Sequence, residues 1–173
     1  MEGKTACFIG HRDVLINDKE KNILLSIIKN LIEKEGVYTY IFGSKSMFDN
    51  VCHEIISLLQ NQYENIKRVV YTCKNEYAVK CKEVSKIEKL LKSIAKSNKR
   101  IKAYEEERNY KNKYKTRKES YIKRNEAMIE ESDICIFYYK KEYKPAFSNS
   151  GTALAYTYAT KKGKTIINVC EFF

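Results

Sequence analysis

Residues 148–169 read SNSGTALAYTYATKKGKTIINV, and this stretch decides the class of fold. Small polar residues around Gly151 lead into a helix-like run that ends at Lys161-Lys162-Gly163. Lys164 to Val169 then reads as a strand, and a second strand-like run, Ile134 to Tyr139, lies before the polar segment. Strand, glycine-containing turn, helix and strand in this order predict a parallel crossover unit. Exposed N–H groups at the start of such a helix suit a phosphate or carboxylate. Ser148, Asn149, Ser150, Gly151 and Thr152 are therefore candidate ligand-binding residues.

The same rhythm runs through the N-terminal half. Thr5 to Gly10 is a short apolar run, as expected for a strand buried on both faces. Asn17 and Glu20 are spaced as a capping box before Ile23, Leu24, Ile27, Ile28, Leu31 and Ile32, which share one helical face. Gly36 closes that helix, and Val37 to Phe42 forms a second strand ending at Gly43-Ser44. Ser46 and Asp49 cap a second helix, whose expected buried stripe is Val51, Cys52, Ile55, Ile56, Leu58 and Leu59. Ile66 to Thr72 makes a third strand.

Between Lys74 and Ser120 the rhythm breaks. Val84, Ile87, Leu90, Leu91 and Ile94 keep helical spacing, whereas the chain beyond Lys96 is charged and tyrosine-rich. That second part fits a long helix, an ordered flap or a loop equally well. A short helix over Tyr121 to Ile129 then leads into the fourth strand. The expectation is an α/β, Rossmann-like fold: a mainly parallel sheet of five or more strands with helices on both faces. It occupies residues 1–173 as a single domain, with a basic helical insertion at about 74–120.

The 173 residues carry a formal net charge of +11. From Lys74 to Glu131 there are 18 Lys or Arg against 10 Asp or Glu, so a net +8 falls in that stretch. Such a patch attracts anions, whether nucleotide, nucleic acid or another acidic partner, and is also the composition of many solvated helices. The six cysteines are scattered with no CxxC pair, and only His11 and His53 accompany them. Reduced, buried thiols are expected, with no metal site and no cofactor. No apolar run approaches the roughly 20 residues that span a bilayer. The N-terminus lacks a charged-then-apolar leader pattern, so the chain reads as cytoplasmic.

Ligands of open parallel sheets bind at the carboxyl ends of the strands. Three polar clusters besides 148–152 are expected there: Gly10-His11-Arg12, Gly43-Ser44-Lys45 and the Thr72-Cys73-Lys74 turn. Gly10 allows close backbone approach, Arg12 offers a planar fork for phosphate, and His11 donates a hydrogen bond or titrates near neutral pH. A plain turn with Arg12 paired to a surface acid explains the first cluster equally well. Gly43-Ser44 before a helix binds an anion or simply caps. Arg124 and Asn125 reach a phosphate if their helix begins near the strands' carboxyl edge; otherwise they are an exposed arginine and a local cap. Asp133 is read as a strand-entry residue bonded to backbone.

The order CFIGHR, then FGS before a helix, then RNEAMIEESDICIFYY, then SNSGTALAYTYATKKGKTIINV resembles the SLOG superfamily, and within it the small bacterial YpsA-type branch. The resemblance implies a Rossmann-like fold that binds nucleotides or nucleotide-derived ligands. Some SLOG proteins cut N-glycosidic bonds of nucleoside monophosphates, others resemble ligand sensors in stress or phage defence, and others bind single-stranded DNA. Relatives are often dimeric or larger, so a homo-oligomer is an expected arrangement. By position, Gly10 and Arg12 match the first-strand motif, Gly43 and Ser44 the second-strand turn, and Ser150, Gly151 and Thr152 the phosphate-binding helix start. The hydrolytic relatives place a glutamate three residues after the Thr of the Gly-Thr pair, and here that position is Ala155. Alanine neither attacks an anomeric carbon nor protonates a base. A sensor or sequestering module is the leading expectation. The alternatives are a nucleotide-processing enzyme with a substitute acid, such as Asp49 or Glu54, and a nucleic-acid-binding protein that uses the basic stretch.

Overall fold

The computed structural model describes residues 3–43, 46–73, 105–110, 117–141 and 150–173. Six strands form one sheet: β1 (Lys4–Gly10), β2 (Val37–Phe42), β3 (Lys67–Cys73), β4 (Glu105–Tyr110), β5 (Ile134–Tyr138) and β6 (Thr165–Asn168). Four α-helices accompany them among the described residues: α1 (Asp18–Glu35), α2 (Met47–Leu59), α3 (Arg117–Glu130) and α4 (Gly151–Lys161). The spatial order is β4-β3-β2-β1-β5-β6, and every neighbouring pair is parallel. This is the expected Rossmann-like α/β arrangement. The chain leaves β1 toward β2 on one side and returns to β5 on the other, so the topological switch point lies between β1 and β5.

Alternation along the strands sorts two cores. Ala6, Phe8, Tyr40, Phe42, Val70, Ile134 and Ile136 face α1 and α2, where they meet Leu24, Ile28, Phe48, Cys52 and Ile56. Cys7, Ile9, Ile41, Val69, Tyr71, Cys135 and Phe137 face α3 and α4, with Met128, Ile129, Ala155 and Ala159. Helices therefore cover both faces, which explains why β1 and β5 are apolar at nearly every position. Cys7, Cys52, Cys73 and Cys135 are buried thiols, and Cys170 is half-buried. Among the described residues no helix is long and apolar enough to cross a membrane.

Local chemistry fixes the helix ends. Asn17 and Glu20 form a reciprocal capping box on α1, and Gly36 ends that helix in the left-handed region at φ +68°. Ser46 and Asp49 form the same box on α2. Asp133 takes the Thr5 N–H on its carboxylate at 2.8 Å and returns its own N–H to the Thr5 carbonyl at 2.8 Å, tying β5 to β1 at their starts.

β4 is the element absent from the expected strands. Its residues, Glu105-Glu106-Glu107-Arg108-Asn109-Tyr110, carry no aliphatic side chain, yet they pair in register with Arg68 to Cys73. As a sheet edge with a single neighbour, β4 meets no requirement for apolar residues on both faces, and charge on such an edge discourages further pairing. The expected helix over Val84 to Ile94 lies outside the described residues.

Candidate functional site

Among the described residues few polar side chains are buried, and most of them gather at one edge of the sheet. His11, Ser46, Asp49, Thr72, Arg124, Asn125 and Thr152 are all at most 9% exposed. They sit at the ends of β1 and β3, at the starts of α2 and α4, or on α3 against the end of β2. Burying polar groups is costly unless they are hydrogen-bonded, so this concentration marks a built polar edge.

Contacts and one shared cleft link His11, Ser46, Asp49, Arg124 and Asn125 into a ring. At the β2 end, the Gly43 N–H donates to Asp49 Oδ1 at 3.2 Å, and Asp49 Oδ2 accepts from Ser46 N at 3.3 Å. A Cβ added at Gly43 would lie 2.9 Å from both Asp49 Oδ2 and Arg124 Nη2, so the glycine makes room for these two side chains. Arg124 Nη2 donates to Asn125 Oδ1 at 3.1 Å, and the guanidinium lies 5.2 Å from the centre of the Tyr121 ring. Asn125 and Gly151 line the same cleft of about 300 Å³ between α3 and α4. Ser150, the N-cap residue of α4, places its Oγ 3.5 Å from His11 Nδ1. The carbonyl of Arg12 accepts the first N–H of α2, from Met47, at 2.8 Å and so closes the ring back to Ser46 and Asp49.

The expected site residues that lie among the described ones can now be placed. Gly10 ends β1, and its missing side chain is taken up by Phe48, whose Cβ and Cδ1 would lie 2.6 Å from an added Cβ. The close approach this glycine permits is thus that of the α2 start. His11 is 2% exposed and bonded to protein through both ring nitrogens. Arg12 presents an exposed side chain. Gly43, Arg124, Asn125, Ser150, Gly151 and Thr152 belong to the polar edge. Ser44, Lys45, Ser148 and Asn149 lie outside the described residues. Of the two substitute acids, Asp49 is brought to the edge, whereas Glu54 is exposed on α2.

Sequence reasoning missed two features here. Asp49 reaches beyond its own cap to the β2 end, which no local spacing reveals. Tyr139 and Tyr156 pack at 4.8 Å beside the α4 start, and Tyr139 lies 5.9 Å from His11. The alternation of β5, continued one residue past its end, points Tyr139 to the α4 face with Cys135 and Phe137. His53 takes no part in the ring; it sits on α2 against the Phe42 ring and Arg68 Nη1.

Among the described residues, nothing caps the α4 start: Ser150 makes no side-chain cap hydrogen bond, the first turn holds no acidic residue, and nothing lies within 4 Å of a Cβ at Gly151. Serine in this position ordinarily accepts from the N2 or N3 N–H. The positive end of the helix dipole lies at this point.

Burial holds the His11 imidazole below its usual pKa; the backbone hydrogen bond at Lys140 opposes this and the Lys140 charge adds to it, and burial prevails. The unfolded ring takes up a proton near pH 6.5. The folded ring does so only at lower pH, so between the two values the unfolded chain binds more protons and stability falls as pH falls. Urea melts of the wild type and His11→Gln at pH 7.5 and 5.0 should show the wild type losing more stability on acidification. Equal losses would show that His11 titrates normally in the fold.

A family model described as YpsA, the YspA SLOG family, matches residues 15–172. The match begins just after Gly10-His11-Arg12, so that cluster stands on geometry. None of the curated proteins matches the chain.

Proposed function

This chain belongs to the YspA SLOG family, and we propose that it binds a nucleotide or nucleotide-derived ligand at the carboxyl edge of its sheet, as a sensor or sequestering module. Family membership supports a nucleotide-related ligand. The polar ring running from Gly43 through the buried Arg124 and Asn125 and the half-buried Ser150 to the buried His11 supports the placement. In this reading the α4 N–H groups receive a phosphate at the switch point between β1 and β5, with Arg12 and Arg124 supplying positive charge. The arrangement holds an anion without needing a reaction at it.

Two observations favour binding over hydrolysis. Ala155 occupies the position at which the hydrolytic SLOG proteins carry glutamate, and its side chain is buried against the sheet. Asp49, the acid at the edge, has each oxygen engaged by a backbone N–H, which suits a structural carboxylate better than a nucleophile or proton donor.

Gly151→Asp tests the reading. The added side chain enters open space, and an acidic residue in a first helical turn favours the helix by about 0.3–1 kcal/mol. The fold should hold. A carboxylate about 4 Å from a bound phosphate costs about 4 kcal/mol near a protein surface, so affinity for a nucleoside monophosphate should fall by about 100-fold or more. Calorimetry showing unchanged affinity removes α4 from the site. Chromatography of nucleoside phosphates incubated with the wild type should show no product; release of a free base would establish the enzyme instead.

A further inference from the structure

His11 holds both stems of the connection between β5 and α4. Before it, the Lys140 backbone N–H donates to His11 Nε2 at 3.3 Å; after it, Ser150 Oγ lies 3.5 Å from Nδ1. The ring itself is fixed by its backbone, because the His11 N–H reaches the Tyr138 carbonyl at 3.4 Å, and by burial. The β5 end is set from the other side by Asn168, whose amide accepts the Tyr139 N–H at 3.1 Å and donates to the Tyr139 carbonyl at 3.0 Å. Lys140 is therefore the next residue whose N–H needs a partner, and His11 supplies it.

This pattern fixes the tautomer. An Nε2 that accepts from Lys140 carries no proton, so the neutral ring bears its proton on Nδ1 and directs it at the Ser150 hydroxyl. That engagement explains why an N-cap serine leaves its own helix uncapped. Protonating the ring puts an N–H on Nε2, face to face with the Lys140 N–H. Two donors cannot share that contact, and the stem must move.

We infer that neutral His11 is the positioning residue that holds Ser150 and the α4 start in their ligand-accepting arrangement, so that acidification weakens binding at this site. The inference rests on the binding reading given above. Among the described residues, the groups facing the ring are Tyr139 and Lys140 from the β5 end and Ser150 from α4, with Arg12 next along the chain. The two charged ones are cations, and no acidic residue lies in the first turn of α4. An imidazolium would also attract an anionic ligand directly. The two effects have opposite signs, and the direction of the pH profile reads which one governs.

The experiment follows binding by calorimetry from pH 7.5 to 5.0 with two probes, adenosine monophosphate and inorganic sulfate, which does not titrate in that range. Binding that requires the neutral ring weakens about tenfold for each pH unit below the ring's pKa. In His11→Gln, the side-chain oxygen takes the Lys140 N–H and cannot be protonated, so whatever its affinity at pH 7.5, the further loss on acidification should flatten. Nitrogen-resolved NMR of the wild type supplies a readout independent of any variant, with His53→Gln identifying the signal. The ring should be the Nδ1–H tautomer with a pKa below 6.5. Superimposable pH profiles of the wild type and a folded His11→Gln, tighter binding at low pH, or an Nε2–H tautomer each overturn the inference alone. If the wild type binds neither probe at any pH, the binding reading falls and the inference with it.

Discussion

Gly10→Ala should destabilise the protein by about 3 kcal/mol although it adds a single methyl group. The new carbon would lie 2.6 Å from Phe48 Cβ and Cδ1 and 2.7 Å from Cγ, closer than real Cβ contacts come. Phe48 cannot yield easily. It is fully buried, with Phe8 at 6.1 Å and Tyr138 at 5.6 Å between ring centres. Its helix is pinned at the same point by the Met47 N–H to the Arg12 carbonyl and by the Ser46–Asp49 box. Relief therefore demands movement of α2 away from the β1 end, which opens the polar ring between Arg12 and Asp49. For a domain of this size the loss corresponds to a fall in melting temperature of about 6–12 °C. Phe48→Leu should cost stability in the wild type yet recover part of it in the Gly10→Ala background, because the two residues compete for one space. Strictly additive effects in calorimetric or urea melts would show that the contact is not the source of the strain.

What could be read from the sequence, and what could not, follows the range of the interactions. Both capping boxes and the Gly36 terminus depend on residues within one turn, and the sequence displays them directly. Five strands announce themselves because a sheet covered on both faces demands apolar residues throughout. β4 escapes that demand: paired only with β3, it has the composition of a solvated segment, and its pairing depends on where the chain goes after Lys74.

The site divides in the same way. Gly10 and Gly43 are visible as glycines at strand ends, but what fills the space beside them comes from afar. Phe48 lies 38 residues from Gly10, and Arg124 lies 81 from Gly43. Arg124 and Asn125 had two open readings, and burial against the β2 end favours the one that brings them to the carboxyl edge. His11 reads in the sequence as a hydrogen-bond donor or a group that titrates near neutral pH. Its ring nitrogens meet the Lys140 N–H and Ser150 Oγ, two partners far along the chain that the parallel pairing of β1 with β5 brings within reach.

Asp49→Ala should be the most damaging single change at the polar edge, costing about 2–4 kcal/mol. Loss of the reciprocal half of the α2 capping box, the Ser46 N–H bond to Asp49 Oδ2, accounts for about 1 kcal/mol of this. The Gly43 N–H, left without its acceptor in a buried setting, adds about 1–3 kcal/mol. Asp49→Asn should not rescue it. The amide oxygen replaces one acceptor, but the NH₂ group then confronts the second backbone N–H, from either Gly43 or Ser46. Asp49→Glu keeps the charge and misplaces it by one methylene, so it should also fall short. This pattern, with all three variants destabilised and Asn no better than about halfway to wild type, separates a structural carboxylate from a catalytic one. A catalytic acid would tolerate Asn in stability while losing turnover. The same carboxylate lies beside Arg124, so nucleotide affinity in folded Asp49→Asn should fall as the guanidinium leaves its place against Gly43. Wild-type stability in Asp49→Asn, measured by urea unfolding, would mean that the Gly43 and Ser46 bonds do not hold this edge together and that Asp49 is available for other work.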